Sequence, residues 1–314
     1  MKKLLKKRMN IGIITVCLLL VGILFYLPVY QFIVLDTDGK QLTGTAAIAM
    51  NREFVNTCAG RLTDEKICAD IAAYQALFHD PENVSKDTTK KTLTDRAYFK
   101  YILPYSDYWK LINGNYIDPC AYDSSFSAVI NMDLENGIDF YSARDKKIST
   151  LLNQVYEDWN FSDSEKAFWL DRISSVTIPY EYGYHTGWEM LFSCLELFAI
   201  GMIGICICVS GTFSGEYQSG ADSIILSSRY GKSKLLTAKI LAAFAYSFFL
   251  FTLFLLVGCG ILLAGFGMDG WELPVQVLNT ISPYDLSLAG AAVTAVGTLY
   301  LILAGMVSFT LLLS

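Results

Sequence analysis

The hydrophobic positions of this chain are gathered into four long runs, Ile11 to Tyr30, Met190 to Ser210, Ile240 to Phe266 and Leu288 to Leu313, with mixed sequence between them. Each run reaches the length of about 20 residues that an α-helix needs to cross a bilayer at roughly 1.5 Å per residue. The interval between the first two runs has a different texture. Its apolar residues recur at helical spacing, which predicts helices over Asp64 to His79 with Thr63 as N-cap, Leu93 to Ile102, Lys146 to Trp159 and Ser164 to Ser174. In the last of these, Ala167, Phe168, Leu170 and Ile173 keep close to one stripe behind a cap at Ser162 or Ser164. Pro81, Pro104, Asn113-Gly114-Asn115, Asp118-Pro119 and Asn136-Gly137 read as turns, with a short hairpin expected near Val129 to Phe140.

Composition agrees with a membrane protein carrying one sizeable polar insert, since 53% of the 314 residues are hydrophobic and 17% are charged. Charge then orients the runs. Lys2, Lys3, Lys6, Lys7 and Arg8 precede the first run, and the connection from Gly211 to Lys239 carries Arg229, Lys232, Lys234 and Lys239. The connection from Gly267 to Ser287 has no basic residue, only Asp269, Glu272 and Asp285. Lys and Arg are retained on the cytoplasmic side. The N-terminus and the second-to-third connection are therefore expected inside, and residues 31–187 outside.

The expected fold is an all-α polytopic membrane protein with a mainly helical extracytoplasmic domain inserted between the first two transmembrane helices, multi-pass in the plasma membrane. Its parts are a basic cytoplasmic N-terminus (1–10), a first span (11–30), the outer domain (31–187), a second span (188–211), a cytoplasmic segment (212–236), a third span (237–266), an outer loop (267–287) and a fourth span (288–314). The first run also fits a secretory signal peptide. An uncleaved span is favoured, because the apolar core exceeds the usual length of about 7–15 residues and no A-x-A-like site precedes Asp36. Tyr180, Tyr182, Tyr184 and Trp188, with Trp271 beyond the third run, suit interfacial belts, or else ordinary domain core.

Residues 29–187 carry 15 basic and 23 acidic side chains, and no long basic face exists to bind nucleic acid. Thirteen of the 19 tyrosines lie in the same stretch, either as core or as a surface for peptides, glycans or lipid headgroups. Cys58 and Cys68 are a candidate disulfide in an oxidising compartment that leaves Cys120 free; three free thiols are the alternative. The only histidines, His79 and His185, belong to no H-E-x-x-H, and no G-x-S-x-G occurs, so no catalytic, metal or cofactor set is expected. At the second span, Glu189, Ser193 and Glu196 share one helical face as a candidate translocation path, with snorkelling to the headgroups as the alternative. Gly201 and Gly204 leave room there for a close helix–helix approach.

The second-to-third connection holds Gly231-Lys232-Ser233, the ending of a P-loop, but Leu226 stands where the first glycine of G-x-x-x-x-G-K-[ST] is required. The segment instead predicts a short amphipathic helix in which Tyr217, Ile224 and Ile225 fall near one face and Glu216, Gln218 and Asp222 on others, suited to a partner protein or to anionic lipid. It resembles the cytoplasmic coupling region of permease subunits of type-2 ABC transporters. That pattern has an acid, a glycine four residues on, "LLS", a small-plus-basic pair and a lysine starting the next span. Here these positions read Glu216, Gly220, "ILS" at Ile225 to Ser227, Gly231-Lys232 and Lys239, while the proline that often follows "LLS" is replaced by the stretch containing Arg229. The resemblance implies an exporter permease half that dimerises with itself or another half, lies in the lipid bilayer and couples through Glu216, Tyr217, Gly220, Ile225, Ser227, Arg229, Gly231, Lys232 and Lys239 to a separate ABC ATPase subunit. ATP would then belong to that partner. Family members usually have six spans, so about two further spans are expected beyond Ser314. A membrane-anchored sensor or ligand-binding module is the alternative.

Overall fold

The computed structural model describes residues 7–85, 92–119, 127–155, 159–218, 220 and 234–314. The protein is mostly helical. In chain order the helices are α1 (Arg8–Gln31), α2 (Gly44–Thr57), α3 (Asp64–Ala76), α4 (Asp95–Tyr101), α5 (Ser106–Tyr116), α6 (Ser127–Ile130), α7 (Phe140–Thr150), α8 (Asp163–Ser174), α9 (Thr186–Ser193), α10 (Phe198–Val209), α11 (Gly211–Gln218), α12 (Lys234–Phe266) and α13 (Leu288–Leu313). Among the described residues, sheet is confined to two short antiparallel pairs, β1 (Ile33–Leu35) with β2 (Gln41–Thr43) and β3 (Gly60–Arg61) with β4 (Glu181–Tyr182). Among the described residues, four segments are long and apolar enough to cross a membrane: Arg8–Gln31, Leu195–Ser214, Lys234–Phe266 and Leu288–Leu313.

The chain divides into two units, one of Met1–Tyr30, Gly187–Met268 and Ala292–Ser314, the other of Gln31–Thr186 and Asp269–Ala291. In the first, the helices pack through aromatic rings set against glycine. Phe25 of α1 lies 4.6 Å from Phe198 of α10, which in turn contacts Phe251 of α12, and Phe251 meets Tyr300 of α13 edge-on at 5.1 Å. The Tyr300 hydroxyl also shares a hydrogen bond of 2.6 Å with that of Thr252. Asn10 and Ser247 are polar residues buried in this interior. The buried Asn10 side chain donates to the Cys208 carbonyl at 3.3 Å, which ties α1 to α10.

The second unit is organised by its tyrosines. The Tyr141 hydroxyl donates to the Leu62 carbonyl and accepts from the Tyr180 amide, each at 2.8 Å, while the Leu62 amide donates to the Tyr180 carbonyl at 2.8 Å. One side chain on α7 thus pins the backbone leading into α3 to the backbone leading into β4. Buried Arg144 adds a hydrogen bond to the Tyr180 hydroxyl and an ion pair of 2.6 Å with Asp145. Residues 269–291, which take in most of the outer loop expected at 267–287, fold as part of this unit. Thr177 donates to Asp285 at 3.0 Å, and Ile281 packs on the cluster of Ile148, Leu152 and Ile173.

Local structure departs from the sequence reading at several places. Helix α2 was not expected, although Ala47, Ile48, Phe54 and Val55 form its buried stripe. Asn113-Gly114-Asn115 is not a turn but the last part of α5, held in the helix by the burial of Tyr108, Trp109, Leu111 and Ile112. Gly114 keeps a free helix-end carbonyl there, and the Lys147 ammonium donates to it. No hairpin forms over 129–140. The Gln75 amide takes up the carbonyls of Val129 and Met132, both at 2.9 Å, which a partner strand would otherwise have satisfied. The helix expected from Lys146 starts earlier, at Phe140, because Asp139 caps it by accepting from the Ser142 amide at 2.9 Å. Tyr180, Tyr182, Tyr184 and Trp188 are buried core and not an exposed belt, whereas Trp271 is exposed.

Candidate functional site

The glycines expected at the second span are close-packing positions. A Cβ on Gly201 would come within 2.6 Å of the Phe254 ring, and one on Gly204 would strike the Cys17 sulfur. Gly201 therefore seats α12 and Gly204 seats α1, as small residues do where helices approach without a hydrophobic driving force of their own. Sequence reasoning missed Gly258 and Gly265 of α12, which receive Phe198 and Val29 in the same way. The acidic side chains are placed differently from expectation. The regular helix stops at Ser193, a 3₁₀ turn occupies Leu195–Leu197, and the spanning segment begins at Leu195. Glu189 and Ser193 precede that segment, and Glu196 is its second residue, beyond the break that separates it from the helical face of Glu189 and Ser193. All three are exposed, the position from which a carboxylate reaches the headgroup region at little cost.

Of the residues expected to couple to a partner, Ile225, Ser227, Arg229, Gly231 and Lys232 lie outside the described residues. Glu216 and Tyr217 lie on α11, and Gly220 follows in a turn at φ +65°, a backbone conformation that favours glycine. Lys239 of α12 sits 5.3 Å from the ring centroid of Phe213, and the Phe213 amide donates to the Ser314 hydroxyl at 3.1 Å. These contacts join α11, α12 and the end of α13 on one side of the first unit.

The second unit contains a cavity of about 330 Å³ with a chemically varied lining, between the end of α2, α3 and the start of α5. Helix α3 presents Lys66, Asp70, Ala73 and Tyr74 to it at i, i+4, i+7 and i+8, one face of an α-helix, and Leu77 follows from the 3₁₀ turn at its end. The polar floor is a closed triad. Lys66 Nζ bonds Asp70 at 2.7 Å and the Tyr108 hydroxyl at 3.2 Å, and the Tyr108 hydroxyl donates to Asp70. The walls are aromatic: Tyr74 and Trp109 have ring centroids 4.7 Å apart, and Tyr101 and Tyr105 complete the rim. Burial and the hydrogen bond to Asp70 push the Tyr108 hydroxyl far above the usual phenol range.

Cys58 closes one end of this cavity. Its thiol is pushed up to about 11, mainly by burial and against the pull of the Lys66 ammonium, so it stays protonated at neutral pH. Cys58 and Cys68 are both free thiols, which corrects the expected disulfide. Cys58 caps α2 with its side chain in the aromatic cavity, and Cys68 stands on the following helix. A second hollow is bordered by the Arg52–Asp269 ion pair of 3.0 Å, with the Arg52 guanidinium 4.7 Å above the Tyr184 ring. Among the described residues, no group of three or more His, Cys, Asp or Glu is placed to hold a metal ion. No protein-family model, curated protein or solved structure matches the chain.

Proposed function

We propose that this chain is a permease subunit of an ABC transporter, an exporter half that works as a dimer in the plasma membrane and is driven by a separate ATPase. The observation that carries this reading is the second-to-third connection. It bears Glu216, Gly220, Ile225 to Ser227, Gly231-Lys232 and Lys239 in the order of type-2 coupling segments, between two apolar helices. A subunit without its own nucleotide site needs an element that a partner can grip, and one tied directly to two spans passes on a rigid-body displacement that a floppy loop would absorb. The Lys239–Phe213 and Phe213–Ser314 contacts support such stiffness at its ends. Arg229, Lys232 and Lys234 would steer the ATPase into register more than hold it. The N-terminus and 212–236 are then cytoplasmic, and 31–187 is extracytoplasmic.

The test is co-purification. An ATPase subunit is expected to accompany the intact chain and to be lost when residues 213–236 are replaced by a flexible linker; undiminished co-purification of the linker variant contradicts the coupling role. A second reading, a membrane-anchored ligand-binding module, is favoured by the aromatic cavity with its Lys66–Asp70–Tyr108 floor. The two readings are compatible if the outer domain of a permease captures a ligand.

A further inference from the structure

We propose that the cavity between α2, α3 and α5 binds a ring of a neutral sugar, stacked on Tyr74, Tyr105 and Trp109 and hydrogen-bonded to Lys66 and Asp70. This inference rests on the second unit being a ligand-binding module and does not need the permease reading. The chemistry of the lining selects the ligand class. Among the described residues, Lys66 and Asp70 are the only charged ones that line the cavity, and they neutralise each other across 2.7 Å. An anion would meet the Asp70 carboxylate beside the ammonium. A quaternary ammonium, which an aromatic box otherwise favours, would meet Lys66, whose Nζ already lies 5.1 Å from the Tyr108 ring centroid.

What the triad leaves over is hydrogen-bonding capacity without net charge. Lys66 Nζ uses two acceptors, Asp70 Oδ2 and the Tyr108 hydroxyl, and has a third N–H to give; Asp70 Oδ1 has lone pairs to accept with. A donor and an acceptor side by side match vicinal hydroxyl groups, each of which both donates and accepts. Both side chains reach solvent, with about a third of each exposed (28% and 33%), so a ligand can approach them. The flat rings beside them, of half-buried Tyr105 and of the more deeply set Tyr74 and Trp109, suit the C–H face of a pyranose, and a volume of about 330 Å³ is at the small end of ligand cavities, sized for one or two rings and not for a folded peptide.

Cys58, in the cavity wall, reports occupancy, and Cys68 is not part of that wall. The full chain in detergent is alkylated with N-ethylmaleimide in the presence of maltose, cellobiose or N,N′-diacetylchitobiose, and separately of choline or the dipeptide Gly-Phe. Modification of each cysteine is followed by peptide mass spectrometry. A bound sugar at about ten times its Kd leaves roughly a tenth of the sites open, so Cys58 alkylation is expected to slow about tenfold, with Cys68 unchanged. Asp70→Asn should abolish that protection while the variant still melts cooperatively, and the wild-type comparison stands alone if it does not. Protection by choline or Gly-Phe without any sugar would keep the cavity as a ligand site but overturn the sugar assignment. Protection by none of the five would overturn both.

Discussion

The interiors of the two units are built on opposite chemistry. In the first, Phe25, Val29, Phe198 and Phe254 are buried against glycines, and fit is a matter of shape. In the second, Tyr108, Tyr141 and Tyr180 are as deeply buried, yet their hydroxyls bond Asp70, backbone groups and Arg144. A phenylalanine interior against lipid tails gains from close contact and nothing from oxygen, whereas a tyrosine interior fixes its neighbours by direction. The first unit should therefore suffer from added bulk and the second from lost oxygen atoms.

The largest effect is expected at Arg144. Arg144→Met removes the buried guanidinium and leaves the Tyr180 hydroxyl without it, at a cost of about 3 kcal/mol in chemical denaturation, discounted because Asp145 is half exposed. Gly201→Leu forces a side chain into the Phe254 ring and should cost about 2 kcal/mol, read as a lower melting temperature in detergent. Tyr141→Phe, which strips one oxygen from two backbone groups, should cost somewhat less, about 1.5 kcal/mol. If it is neutral while Gly201→Leu is severe, shape governs both interiors and the contrast fails. Ser162→Ala breaks the capping box with Glu165 at the start of α8 for about 1 kcal/mol.

The same contrast has a pH signature. Burial raises the Cys58 thiol from 9.0 to about 11, and Tyr74 and Tyr141 from 10.0 to about 12. Above pH 9 the unfolded chain begins to lose these protons while the folded unit keeps them, so stability present below pH 9 declines as pH rises toward 12. At the acid end the sign reverses. The Asp139 carboxyl is held below its usual value by hydrogen bonds from Ser142, and its contribution is present above pH 4 and lost as pH falls. Denaturation followed from pH 7 to 11 should show the alkaline decline in the second unit.

The spans were legible because hydropathy needs no partner: the fourth run matches α13 from Leu288 to Leu313, and the third ends at Phe266 as expected. Helix α3 was equally plain, with Thr63 accepting from the Lys66 amide as its cap. What escaped depends on tertiary context. Asn113-Gly114-Asn115 carries turn chemistry that the burial of neighbouring Trp109 and Ile112 overrides. The β1–β2 hairpin had a signal that went unread, Asp38-Gly39, with Gly39 at φ +79° and Asp36 Oδ1 accepting from the amides of Asp38 and Lys40. The cavity joins α3 to residues about 40 positions away, a pairing that no local pattern announces, although its α3 face was present in the spacing of Lys66, Asp70 and Tyr74.

Topology is the claim on which the functional reading stands, and cysteine accessibility tests it most directly. Ser174→Cys on exposed α8 and Ser223→Cys in the second-to-third connection are treated in intact cells with a membrane-impermeant maleimide and read peptide by peptide. Labelling of Cys at 174 in intact cells, with Cys at 223 labelled only after permeabilisation, is the predicted result. Labelling of position 223 in intact cells, or protection of position 174 until permeabilisation, would contradict it.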